Sequence, residues 1–177
     1  WLTTMPSVRI EHASLMTDQM FAEIANSEMN YALVTQPIFF FAEDESYRHY
    51  LSPAQFKLAY RVKTMLNSQA MLGLSSDAPR TPWAEPDSPF YSIYAAVTRK
   101  AANDDVVNAE EAITVPQAIL GYTRDGAKIG GFDDNGTLEV GKAADFVILN
   151  DDIFTVPHDD LKNIHVNETW MAGKRVK

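Results

Sequence analysis

Along the first half of the chain, apolar runs of strand length alternate with segments whose apolar residues recur every three or four positions. Val8, Arg9 and Ile10 form a short β-branched run that predicts a strand. Thr17 then stands where it can cap a helix over 17–26, with Met20, Phe21 and Ile24 on its apolar face. Residues 31–35 predict a second strand, closed by Gln36 and Pro37 because proline cannot donate to a ladder. The stretch 39–50, with Glu43, Asp44 and Glu45 in its middle, reads as a loop. Ser52, Pro53 and Gln55 have capping-box spacing with proline at the first helical position, and Phe56, Ala59, Tyr60, Val62, Lys63 and Leu66 predict one long amphipathic helix. A third apolar run, Met71 to Leu74, runs into Ser75, Ser76, Asp77, Ala78 and Pro79.

Strands that are apolar throughout and alternate with helices are the mark of parallel βαβ units. On that pattern His12, Gln36 and Asp77 all fall at C-terminal strand ends, the edge that carries the active site in parallel α/β barrels. Further on, Ser88 and Pro89 open a helix over 90–102, packing through Ile93, Ala96 and Val97. Thr114, Pro116 and Gln117 open another, and Gly130 and Gly131 stop the helical region. The pattern then changes to short, turn-bounded runs, 136–141, 144–149 and 164–171, as in an antiparallel sheet. The boundary between the two parts is placed near Asp133, giving residues 1–133 and 134–177.

Composition narrows the picture. With 46% hydrophobic and 22% charged residues in 177, the chain is an ordinary globular one. A formal net charge of −9 without a Lys/Arg cluster argues against nucleic acid or an anionic membrane as partner. The absence of cysteine removes disulfides, thiol nucleophiles and Cys-based zinc sites, leaving His and carboxylates as metal ligands. No apolar run reaches the ~18 residues of a membrane span and nothing at the start reads as a signal peptide; a cytoplasmic location is the expectation. The chain opens at Trp1 and runs almost at once into strand-like sequence, as a piece cut from something longer would. No G-x-G-x-x-G follows a strand, and Ser75 and Ser76 lack the G-x-S-x-G elbow of a serine nucleophile. For Asp77 two readings stand: a carboxylate delivered to an active-site lip, or an Asp that caps the following turn through backbone amides.

Three motifs in fixed order carry a resemblance: Arg9-Ile10-Glu11-His12, Leu74-Ser75-Ser76-Asp77-Ala78-Pro79, and the run from Gly136 to Leu149 (GTLEVGKAADFVIL). Together they resemble the C-terminal third of the amidohydrolase superfamily, in the YtcJ-like or N-substituted formamide deformylase-like branch. Gln36-Pro37 and Ala95-Ala96-Val97-Thr98-Arg99 fit that branch as well. The resemblance implies an α/β fold: strands six to eight of a (β/α)8 barrel with their helices, then the C-terminal strands of a small β-sandwich. It implies a metal-dependent hydrolase of non-peptide C–N bonds, amide or formamide-like, with His12 and Asp77 as ligands of a divalent metal, zinc by ligand type, and Asp77 as the general base for the activated water. Gln36 and Ser76 are assigned to substrate binding. The implied partners are a small amide-type substrate and the missing N-terminal part of the same protein, which would bring the remaining ligands. A (β/α)8 barrel takes about 250 residues, more than this chain has, so a truncated barrel with open sheet edges is expected to self-associate or form a homo-oligomer. Against this stands a non-catalytic α/β binding or structural module, in which His12 and Asp77 serve the fold.

Overall fold

The computed structural model describes residues 7–80, 85 and 87–177. Three strands, β1 (Ser7–Ile10), β2 (Asn30–Thr35) and β3 (Met71–Leu74), form one sheet in that order, and both pairings are parallel, with Ile10 beside Leu33 and Leu33 beside Leu72. Ala32, Leu33 and Val34 are all buried although neighbours along a strand face opposite ways. Apolar groups on both faces are what a central parallel strand requires. Helix α1 (Asp18–Ala25) carries the chain from β1 to β2, and the Thr17 hydroxyl accepts the Met20 N–H at 3.2 Å as its cap. Because the strands run the same way, their C-terminal ends share one edge.

Two segments between β2 and β3 differ from the pattern reading. Residues 39–50 are not a loop but most of a helix, α2 (Pro37–Tyr50), with a kink at Glu43. Its buried positions Pro37, Ile38, Phe40, Phe41 and Asp44 follow helical spacing; the acidic run had masked that periodicity, because Asp44 points inward and pairs with Arg48 one turn on, at 2.7 Å. The single long helix is instead two short ones, α3 (Pro53–Phe56) and α4 (Val62–Leu66). Tyr60 between them is left-handed at φ 50°, with its N–H donated to the Ser14 carbonyl at 2.9 Å. The Asn108 amide caps the freed carbonyls of Phe56 (3.0 Å) and Ala59 (3.3 Å). Distant groups thus take the hydrogen bonds a continuous helix would have made.

Helix α5 (Pro89–Thr98) is shorter than predicted, because Arg99 turns left-handed at φ 59° and ends it. Its guanidinium lies fully buried 4.3 Å from the Phe40 ring centre, with Nε donating to the Val107 carbonyl at 2.9 Å. Helix α6 (Val115–Tyr122) starts with the predicted Thr114–Gln117 capping box, and α7 (Arg124–Gly130) ends at left-handed Gly131. Both pack on β3. The approach is close: a Cβ on Gly121 would lie 3.0 Å from Leu74 Cγ.

A second, antiparallel sheet follows, β4 (Phe146–Leu149), β5 (Val166–Met171) and β6 (Lys174–Arg175). Residues 136–141, predicted as a strand, form bends and a turn instead. Their alternation suits a strand, but no described strand lies beside them, and Leu138 and Val140 remain exposed. No helix among the described residues is long and apolar enough to cross a membrane.

Candidate active site at the C-terminal sheet edge

Each strand of the parallel sheet delivers polar groups to its C-terminal edge. After β1 the backbone turns left-handed at His12 (φ 66°) and Ala13 (φ 44°), which leaves the imidazole exposed at the rim. Arg9 and Glu11, two residues apart on one face, form an exposed ion pair beside it. Gln36, immediately after β2, is the N-cap residue of α2 and only 1% exposed. Its Oε1 lies 3.0 Å from His12 Nδ1, and its Nε2 donates to the Ser75 hydroxyl at 2.8 Å. One amide thereby ties the ends of all three strands together. The Phe39 ring lies stacked against the imidazole, centroids 6.1 Å apart and 15° from parallel.

On the β3 side, Tyr122 at the end of α6 donates its hydroxyl to the Ser75 carbonyl at 3.2 Å. Burial holds the Tyr122 phenol well above its ordinary range, so it remains a donor. Asp77 adopts φ 55° and is half-buried. Its backbone carbonyl accepts the Arg80 N–H at 2.8 Å, while among the described residues no hydrogen bond or ion pair engages its carboxylate. The side-chain cap of that turn comes from Ser76, whose hydroxyl accepts the Ala78 N–H at 3.4 Å. The carboxylate does not serve the turn.

Of the four residues picked out from the sequence, His12 and Gln36 are joined directly, and Asp77 and Ser76 stand two and one residues beyond Ser75 on the same edge. Ser75 is the residue sequence reading missed, since adjacent serines leave no signal of which one faces the neighbouring strand. Phe39 and Tyr122 were hidden too, the first inside a segment read as a loop and the second more than forty positions away in sequence. Gln36, assigned to substrate binding by resemblance, is buried with both ends of its amide engaged inside the chain.

The donors present suit a divalent ion in type: one exposed imidazole with its Nδ1 side anchored, and one unengaged carboxylate. In number they fall short. No group of three or more His, Asp or Glu side chains able to hold a metal occurs among the described residues. His49 lies in α2, His158 in the 3-10 helix His158–Asn163 and His165 just before β5, all on elements other than the β-strand edge.

A parallel sheet with polar groups gathered at its C-terminal edge is thus followed along the chain by an antiparallel sheet. The chain belongs to the amidohydrolase family, whose sequence model matches residues 3–177. It is 28% identical over 172 residues to YtcJ of Bacillus subtilis (strain 168), covering 95% of this chain and 31% of that protein. It is 26% identical over 168 residues to the N-substituted formamide deformylase of Arthrobacter pascens, covering 94% and 30%. Among solved structures it is similar to an uncharacterized metal-dependent hydrolase from Pyrococcus horikoshii OT3, with TM-score 0.71 and 30% identity over 85% of this chain and 30% of that one. The chain therefore spans about 30% of the length of these three proteins and corresponds to a C-terminal portion of the amidohydrolase superfamily.

Proposed function

We propose that this chain supplies strands six to eight of a (β/α)8 barrel, within residues 1–133, and the sandwich return, within 134–177, of a metal-dependent hydrolase acting on a non-peptide C–N bond. The observation that carries the reading is that an anchored imidazole and an uncommitted carboxylate stand on the same edge of one parallel sheet. The name of the deformylase relative favours a formamide-like or amide substrate. His12 would hold the ion through Nε2, and Asp77 would contribute a carboxylate oxygen; a nitrogen-and-oxygen donor set suits zinc. A divalent ion, when bound, supplies Lewis acidity that makes water a stronger acid and polarises the scissile carbonyl. The chain's own part is then to move protons. The Asp77 carboxylate takes one from the attacking water and, once protonated, can return it to the leaving nitrogen. Phe39 shields one face of the imidazole from solvent. Ser76, on the same edge, would contact substrate.

A module in which Asp77 only caps its turn is disfavoured, because Ser76 makes that cap. The decisive experiment is Asp77→Asn in the intact protein, with turnover and bound metal measured together. Loss of basicity at constant shape should lower kcat by about 10²–10⁴ while metal stays bound. Near-wild-type turnover with full metal would end the assignment, since Asn caps turns about as well as Asp.

A further inference from the structure

The Gln36 amide lies in a place where its orientation decides the state of its neighbour. Its oxygen faces His12 Nδ1 at 3.0 Å and its nitrogen faces the Ser75 hydroxyl at 2.8 Å. A carbonyl oxygen can only accept, so the proton on a neutral His12 ring sits on Nδ1, and the lone pair is left on Nε2. Ser75 is itself fixed on both sides of its backbone: its N–H donates to the Thr35 carbonyl at 3.1 Å, and its carbonyl takes the Tyr122 hydroxyl at 3.2 Å. Gln36 is 1% exposed, so both ends of its amide are engaged within the chain.

We propose that Gln36 is a positioning residue, whose amide oxygen sets His12 as the Nδ1–H tautomer and leaves the Nε2 lone pair for a divalent cation. The inference rests on the hydrolase reading for its purpose and not for its geometry. It also explains why an uncharged amide stands here. Glutamine offers an acceptor to one strand end and a donor to the other, so it bridges β1 and β3 across β2 without burying a charge. The Phe39 ring against the imidazole limits rotation of the ring out of this arrangement.

The test reads the tautomer directly. The intact protein, metal-free, is labelled with [15N]histidine at a pH where the ring is neutral, and the His12 signals are assigned through a His12→Asn variant. The wild type should show the Nδ1–H pattern. Gln36→Leu removes the acceptor and should move His12 to the Nε2–H or a mixed pattern. Gln36→Glu retains an acceptor toward Nδ1 and should restore Nδ1–H, which a purely structural role for Gln36 would not require. Ser75→Ala, a smaller perturbation should Gln36→Leu fail to fold, should give a mixed pattern because the amide then loses its anchor at Nε2. Zinc titration of the same proteins should show affinity lowered about 10–100-fold in Gln36→Leu and recovered in Gln36→Glu. An Nε2–H signal in the wild type would mean that the amide is reversed and would overturn the proposal, as would a tautomer unchanged in both Gln36→Leu and Ser75→Ala. Wild-type protein with the Nδ1–H pattern and no zinc binding would leave the positioning role standing and remove the hydrolase reading, so the two fail separately.

Discussion

Glu111 is the buried carboxylate whose partners are most fully accounted for. It closes the 3-10 turn Ala109–Glu111, takes the Thr64 N–H at 2.8 Å and the Thr64 hydroxyl at 2.6 Å, and stands 3.5 Å from Arg61 Nε. Thr64 lies near the start of α4, where backbone N–H groups have no partner within the helix. The same carboxylate acts on Arg99, whose guanidinium burial lowers to about 10 while Glu111 and Glu110 pull it back up. Glu111→Ala should therefore cost about 1–3 kcal/mol, read as a lower urea midpoint at constant slope; an unchanged midpoint would show that water replaces the carboxylate. The neighbours that give Glu111 its value come from α4 and α5, and no local pattern around residue 111 announces them.

At the scale of elements, the caps were legible and the breaks were not. Thr17, Ser52 and Thr114 all cap helices that start where the sequence predicts a start, the last two through capping boxes, because a cap involves residues three apart. The break between α3 and α4 depends on Ser14 and Asn108, which are distant in sequence. Gly136 is a similar case: read as the start of a strand, it is left-handed at φ 87°, packed against α7 and its N-cap. A Cβ there would meet Ala127 Cβ at 2.7 Å and the Thr123 carbonyl oxygen at 2.9 Å, whereas Gly131, at φ 75°, has open space around it. Gly131→Ala should cost only backbone strain, about 1–2 kcal/mol. Gly136→Ala should add overpacking to that, about 1–3 kcal/mol more. Thermal or urea unfolding of the two variants decides the point, and equal losses would show that the contact at Gly136 relaxes freely.

At the scale of the whole molecule, the site among the described residues is a lip of one three-stranded sheet rather than a closed ring. β1 and β3 are its edge strands, and the candidate donors lie along one rim with no third ligand among the described residues. Sites that bind catalytic zinc use three protein ligands. The 177-residue chain alone should accordingly show no metal-dependent hydrolysis of formamides or other amides. Turnover by the purified chain that vanished with chelator and returned with zinc would contradict this.

The sequence by itself determined which elements form wherever a signal is local: period-two and all-apolar runs for β1 to β3, capping boxes and Pro-first helix starts for α3 and α6, and the alternating runs of the second sheet. It also placed His12, Gln36 and Asp77 at strand ends, because strand polarity in βαβ units follows from connection length. Only the tertiary structure decided that Asp44 turns inward and makes 37–50 a helix, that Tyr60 breaks its helix, and that 136–141 lacks a partner to become a strand. It alone chose Ser75 over Ser76 as the partner of Gln36. Hydrogen-bond partners across a sheet are set by register and by which groups are left unpaired after packing, and neither is encoded within any one segment.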